Sequence, residues 1–255
     1  MLVESGMKEI LVLCRAHEAQ INEHISNSPC WESNVRCKVT TKSVAHCRTV
    51  GDCIRDVQES ALINGDFVLV YGDVVSNLNL SPFIAKHKAR YLEDKANIMT
   101  MLFKTTDPDH PLRSAENDFA VALGDTDRMD DSFRLLSYVK KHEGASSKSF
   151  DFPKEIFAES TTVQLRNNFL DAQIYICSQE VLILFADEFD IEDMFGSIRF
   201  IHTDEIRCER IYCHIIEHEY AARVSDINAY DVISKDIICR WTHPLVPDAF
   251  RPHGK

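Results

Sequence analysis

An uninterrupted apolar run at residues 67–71, Phe-Val-Leu-Val-Tyr, is followed at once by Gly72 and Asp73. A short continuous apolar run that ends at a turn predicts a strand covered on both faces. Such strands lie inside sheets with helices on both sides, where ligands bind beyond the carboxyl ends of the strands. The run therefore predicts an α/β fold, and it places Gly72 and Asp73 where a ligand would bind.

Other apolar runs alternate with helix-like stretches along the first half of the chain, and the second half is richer in strands. Strands are predicted at residues 10–14, 37–40, 67–71, 98–103, 118–123, 133–139, 170–177, 210–216 and 220–224. The βαβαβ order of the first half predicts a three-layer, doubly wound and mostly parallel sheet. We expect the second half to add a mixed, partly antiparallel extension to this sheet.

The chain lacks long Gly/Ser linkers, internal repeats and low-complexity segments. Its 255 residues, 45% of them hydrophobic, are enough to bury a core. We therefore expect one domain over residues 1–247, followed by a linker remnant at residues 248–255.

The charge balance and the cysteines restrict the class of protein. With 28 basic and 40 acidic residues, the net charge of −12 argues against direct binding to nucleic acid. No apolar stretch approaches the roughly 18 residues that a membrane helix needs. The nine cysteines are scattered and form no Cys-x-x-Cys pair, so we interpret them as reduced thiols of a cytosolic protein.

The strand end at Gly72 and Asp73 has two interpretations. An aspartate there can hold a divalent cation beside phosphate groups, and a glycine lets the backbone approach a ligand closely. The alternative is an ordinary turn. The sequence contains no G-x-x-x-x-G-K-[ST], G-x-G-x-x-G or G-x-S-x-G motif. This absence argues against a nucleotide-processing enzyme.

Two other groups contain residue types that metal binding or acid–base catalysis requires. His214 and His218 match an H-x-x-E-H pattern, but their neighbours predict a strand, on which the two side chains lie too far apart to chelate zinc. Residues 187–193 include five acids, which indicate either acid–base chemistry or a solvated helix start. Among them, Phe189 is either a core anchor or an exposed binding residue, and the pattern favours the core.

Four stretches of the chain resemble one protein family in the same order. These stretches are residues 66–77, 99–104, 219–225 and 240–245. The family is the epsilon subunit of eukaryotic translation initiation factor 2B, and the resemblance covers nearly the whole chain. It implies an N-terminally truncated nucleotidyltransferase-like domain, without the phosphate loop, the β-helix and the C-terminal exchange domain of that subunit.

The resemblance also implies a role and a set of partners. The family's complex is a guanine nucleotide exchange factor that reloads initiation factor 2 with GTP. This domain is then a scaffold and docking module without catalysis, cofactor or metal of its own. Its expected partners are the other subunits, especially the gamma subunit, and initiation factor 2.

The parent fold of that domain is found in sugar-nucleotide pyrophosphorylases. Their two metal-binding aspartates correspond to Asp73 and Asp226, and Gln173 stands where their sugar site has a glycine. The resemblance therefore implies a vestigial metal and nucleotide pocket at Gly72, Asp73 and Asp226. Two alternatives are a working sugar-phosphate nucleotidyltransferase and a sensor that binds a nucleotide or a sugar nucleotide there.

The family also carries an Asn-Phe pair that helps to engage initiation factor 2. This pair falls on Glu188 and Phe189, so the phenylalanine is kept and the asparagine is replaced. The resemblance thus makes Phe189, with Glu188 beside it, the expected partner-binding position.

Overall fold

The computed structural model of the chain describes residues 1–27, 37–107, 110–113, 118–127, 132–140, 150–204 and 207–247. The described strands are β1 (Glu9–Cys14), β2 (Lys38–Ser43), β3 (Phe67–Val70), β4 (Val74–Ser76), β5 (Asn97–Thr105), β6 (Phe119–Asp127), β7 (Ser132–Lys140), β8 (Gln164–Arg166), β9 (Phe169–Cys177), β10 (Arg210–Ile216) and β11 (Ala221–Arg223). The described helices are α1 (Glu18–Asn27), α2 (Val50–Glu59), α3 (Ser81–Glu93), α4 (Ile156–Glu159), α5 (Glu180–Asp187), α6 (Met194–Thr203) and α7 (Ile227–Ile238). None of these helices is long and apolar enough to span a membrane. The domain boundary at residue 247 stays a prediction, because residues 248–255 lie outside the described part.

The largest sheet has seven strands in the order β3-β9-β5-β10-β7-β6-β8. Its neighbours β5 and β10 are parallel, whereas β9 runs antiparallel to both β3 and β5. Strand β7 is antiparallel to β10, and β6 is antiparallel to β7 and β8. The α/β class with a mixed extension is confirmed. The expectation of mostly parallel neighbours is corrected, because β9 from the second half lies between β3 and β5.

Two further sheets have two strands each. Strands β1 and β2 pair in parallel along their full length, with α1 between them in the chain, as predicted for a β-α-β unit. Strand β4 pairs antiparallel with β11, so that Val74 lies opposite Arg223. This pairing brings the turn after β3 next to the segment that leads into α7.

A group of aromatic rings fills the centre of the main core. Phe103 is fully buried, and its ring centroid lies 5.7 Å from the centroids of Phe119 and Phe169 and 6.1 Å from that of Tyr138. Buried aromatic pairs at these distances stabilise a core beyond the effect of their area alone. The group therefore holds β5, β6, β7 and β9 in fixed relative positions.

Helix α2 begins with a complete capping box. Thr49 Oγ1 accepts a hydrogen bond from Asp52 N, and Asp52 Oδ2 accepts one from Thr49 N, both at 3.0 Å. Ile54 and Val57 are buried on the inner side of the helix. This helix start is therefore fixed by its cap and by the core.

Helix α6 is the longest of the described elements that the sequence did not lead us to predict. Asp193 is its N-cap, with Oδ1 accepting a hydrogen bond from Gly196 N at 2.6 Å. Met194, Ile198 and Ile201 are buried along one side. The last acid of the 187–193 group thus starts a helix, in agreement with one of the two interpretations of that group.

Candidate functional site

The chain turns after β3, and the turn carries Gly72 and Asp73. Val74 N donates to the Tyr71 carbonyl oxygen at 3.2 Å, and Val224 N donates to that of Asp73 at 2.9 Å. A Cβ added at Gly72 would meet no atom within 4 Å. Packing around this turn therefore does not require glycine at position 72.

The Asp73 carboxylate is paired with a cation of the chain itself. Arg223 Nε donates to Oδ1 at 2.9 Å and to Oδ2 at 2.8 Å. The Arg223 guanidinium also lies over the Tyr71 ring, 4.6 Å from its centroid. The guanidinium therefore uses the two oxygens that a divalent cation would need.

The Asp226 carboxylate caps a helix. Its Oδ1 accepts a hydrogen bond from Ala229 N at 2.7 Å, in the first turn of α7. Asp73 and Asp226 thus have separate partners within the chain. The described residues contain no group of three or more His, Cys, Asp or Glu that could hold a metal ion.

The H-x-x-E-H pattern falls on β10 and the residues after it. His214 is buried on the strand, and His218 is exposed beyond the strand end. The predicted strand is therefore confirmed at this position.

A cavity of about 130 Å³ lies between the turn after β3, strands β6, β7, β9 and β11, and helix α6. Its polar lining includes Tyr138, Lys140, Asp171, Gln173, Tyr175 and Arg223. Gly72, Asp73 and Asp226 are neighbours of lining residues in sequence but do not line the cavity themselves. Their vestigial role stays a prediction.

Asp171 is one of the two aspartates that line this cavity, the other being Asp193. The Oδ1 of Asp171 accepts a hydrogen bond from Gln173 N at 2.8 Å, and its Oδ2 accepts from Tyr175 Oη at 3.3 Å and from Tyr138 Oη at 3.4 Å. Part of the residue surface faces the cavity, but burial of the carboxyl group raises its pKa to about 6, against the opposing effect of these donors. Burial also raises the pKa of both phenols, so they stay protonated donors.

Gln173 occupies part of the same cavity. Its backbone has a φ of 53°, in the left-handed region that favours glycine. Its Oε1 accepts a hydrogen bond from Tyr175 Oη at 3.1 Å. The backbone conformation suited to glycine thus carries a long side chain that lines the cavity.

A second candidate site is the loop between α5 and α6, residues 188–193, which we call the Phe189 loop. The Phe189 side chain is 74% exposed, so the preference for a core position is wrong. Glu188 is half-buried, and its backbone N–H closes α5 by donating to the Leu184 carbonyl oxygen at 3.0 Å. An exposed phenylalanine on a short loop is the kind of side chain that is enriched at protein–protein interfaces.

Arg55 on α2 is a residue that sequence reasoning did not single out. Its Nη1 donates to the carbonyl oxygens of Phe185 at 3.2 Å, Glu188 at 3.4 Å and Ile191 at 3.2 Å. Its Nη2 donates to Asp52 Oδ1 at 2.9 Å, and this bond holds the pKa of Asp52 below its usual range. No local pattern could have found the contacts with the three carbonyls, because these lie 130 or more positions away.

No protein-family model matches the chain. Among solved structures, it is similar to an apo UDP-glucose pyrophosphorylase (TM-score 0.53, 11% identity, 92% of this chain and 84% of that chain). It is also similar to a UDP-glucose pyrophosphorylase complexed with UDP-glucose (0.57, 10%, 92% and 83%) and to the UTP-bound enzyme of Acinetobacter baumannii (0.59, 12%, 91% and 78%). At these identities the likeness concerns the fold alone, and it confirms the predicted nucleotide-diphospho-sugar transferase type.

Two curated relatives are similar in sequence over nearly all of this chain. The chain is 38% identical over 250 residues to translation initiation factor eIF2B subunit epsilon of Dictyostelium discoideum, and 35% identical over 249 residues to that of Schizosaccharomyces pombe. Each match covers 97% of this chain, and 34% and 36% of the relatives. Over the third of their length that it spans, the chain belongs to the family of eIF2B epsilon subunits.

Proposed function

We propose that this chain is a scaffold and docking domain of an eIF2B-type guanine nucleotide exchange factor in the cytosol. It holds other subunits, the gamma subunit among them, and presents a surface to initiation factor 2, which the factor reloads with GTP. The observation that carries the proposal is Phe189, which is 74% exposed at the position where the family resemblance expects a partner contact.

The residues near the cavity support a domain without catalysis. Arg223 pairs with both oxygens of Asp73, and one oxygen of Asp226 caps α7, so both acids already have partners within the chain. Gln173 fills part of the cavity at the position of the sugar-site glycine. The docking surface is then on the outside of the domain.

Replacing Phe189 with alanine should weaken binding of initiation factor 2 about tenfold or more, because a truncated aromatic anchor removes a contact that dominates an interface. The free energy of unfolding should stay nearly unchanged, since the side chain is mostly exposed. Binding is measured with the full-length protein in its complex. Phe157→Ala is the matched control, because Phe157 is another exposed phenylalanine (59%) on the separate helix α4. Equal affinities for the Phe189 variant and the control would contradict the proposal.

A sugar-phosphate nucleotidyltransferase is the second candidate function, because the likeness to pyrophosphorylases covers 91–92% of this chain. We expect no release of pyrophosphate from UTP or GTP, with sugar phosphates and magnesium, above the level of the Asp73→Ala variant. The reason is the guanidinium on Asp73 and the side chain of Gln173 in the cavity. Turnover by the unmodified chain that Asp73→Ala abolishes would establish the enzyme instead.

A further inference from the structure

The Phe189 loop is held by one cation from a different part of the chain. Three backbone carbonyls, those of Phe185, Glu188 and Ile191, converge on Arg55 Nη1 at 3.2–3.4 Å. The first two belong to the end of α5, where carbonyl oxygens have no partner within the helix. Arg55 therefore connects the end of α5 with the Phe189 loop through a single guanidinium nitrogen.

Phe189 lies in the chain between two of these carbonyls, those of Glu188 and Ile191. Both of these carbonyls accept hydrogen bonds from Arg55, while the Phe189 side chain is 74% exposed. The guanidinium carbon lies 5.7 Å from the Phe189 ring centroid, within the range of a cation–π contact. The ring is thus exposed and also restrained on one side.

The far end of the loop has its own restraints. Gly51 N, also on α2, donates to the Glu192 carbonyl oxygen at 2.7 Å, and Asp193 caps α6. Asp52 in turn fixes the Arg55 side chain, which is only 12% exposed. Helix α2 therefore binds the loop backbone at residues 188, 191 and 192, and Arg55 makes the contacts closest to Phe189.

We propose that Arg55 is a positioning residue for partner binding, which keeps the Phe189 loop in its binding conformation before the partner arrives. This inference rests on the proposed docking role of Phe189. An ordered loop binds more tightly than a mobile one, because the free energy of binding then does not include the entropic cost of ordering the loop. Affinity falls in proportion to the fraction of molecules that hold the competent conformation.

Lysine is the informative replacement at position 55. It keeps the positive charge but lacks the planar fork that can serve several carbonyl oxygens and Asp52 together. If the loop keeps its binding conformation in about a tenth of Arg55→Lys molecules, affinity for initiation factor 2 falls about tenfold. The loss should appear in the association rate, with the dissociation rate little changed, because the complex itself still contains the ordered loop.

A double-mutant cycle on the full-length protein in its complex tests the inference. Arg55→Lys should weaken binding of initiation factor 2 about tenfold with Phe189 present, and should add no loss in the Phe189→Ala background. Hydrogen exchange at the loop amides should be faster in Arg55→Lys. Arg48→Lys, at an exposed arginine just before α2, is the matched control and should change neither quantity. If Arg55→Lys does not fold, Arg55→Gln takes its place.

The outcomes separate this inference from the function on which it rests. If Phe189→Ala weakens binding but Arg55→Lys does not, Arg55 has no positioning role and the docking role of Phe189 stands. An equal loss from Arg55→Lys in both backgrounds would show a general structural effect, which also overturns the inference. If Phe189→Ala leaves binding unchanged, both proposals fail.

Discussion

Replacing Gly51 with alanine is expected to lower the free energy of unfolding by about 3 kcal/mol or more, the upper part of the range for overpacked sites. A Cβ at this position would lie 2.1 Å from the Ile191 carbonyl oxygen and 3.2 Å from the Glu192 Cα. Both are backbone atoms, so rotation of a side chain cannot relieve the contact. Helix α2 and the Phe189 loop would have to separate, which breaks the bond from Gly51 N to the Glu192 carbonyl oxygen.

The measurement is urea unfolding of the full-length chain. Gly196→Ala is the matched control, because Gly196 is also in a helix and its added Cβ would meet only side-chain atoms, the nearest being Asp193 Oδ1 at 3.2 Å. A side-chain atom can move aside, so Gly196→Ala should lower the free energy of unfolding less than Gly51→Ala does. A Gly51→Ala protein as stable as the unmodified chain would contradict the close approach of α2 to the loop.

The second large effect concerns pH. The pKa of the Asp171 carboxyl group is about 6 in the folded chain, above its ordinary value of 3.8. The favourable contribution of the protonated group is fully present below pH 4 and is lost as the pH rises through 6. Relative to Asp171→Asn, the unmodified chain should therefore lose about 2–3 kcal/mol of unfolding free energy between pH 4 and pH 7.5.

This difference is measured by unfolding both proteins in urea at a series of pH values, where groups common to the two cancel. Asp125→Asn is a control for which the pH dependence of the unfolding free energy has the opposite sign. Hydrogen bonds from Thr161 and Ser160 lower the pKa of Asp125, so its contribution is lost as the pH falls below the ordinary range. If the difference in unfolding free energy between the unmodified chain and Asp171→Asn stays constant from pH 4 to pH 7.5, the carboxyl group is well solvated and the prediction is wrong.

The sequence was sufficient to find most strands but not to order them. Apolar runs predicted β3, β5, β9 and β10 to within one or two residues at each end. Which strands are neighbours depends on contacts between distant segments, so the insertion of β9 between β3 and β5 had no local signal. Helix α6 did have a local signal, because Met194, Ile198 and Ile201 have helical spacing after a capping aspartate.

The candidate sites were likewise only partly predictable from the sequence. Family resemblance pointed to Phe189, whereas its apolar character alone favoured the core, because exposure depends on how the loop is held. Arg55 holds the loop through backbone carbonyls, which carry no information about side-chain identity. The pairing of Arg223 with Asp73 was likewise not predicted, although both residues lie in stretches that carried the resemblance.

The insertion of β9 into the main sheet constrains the order in which the chain can fold. Phe67 of β3 and Met99 of β5 both pair with Cys177 of β9, so neither strand has that neighbour until β9 has been synthesised. Strand β10, the other neighbour of β5, comes later still. Pairings between distant segments form slowly, and their unpaired edges are open to association with other chains. During translation, β3 therefore lacks its neighbour until β9 has left the ribosome, and β5 keeps an unpaired edge until β10 has followed.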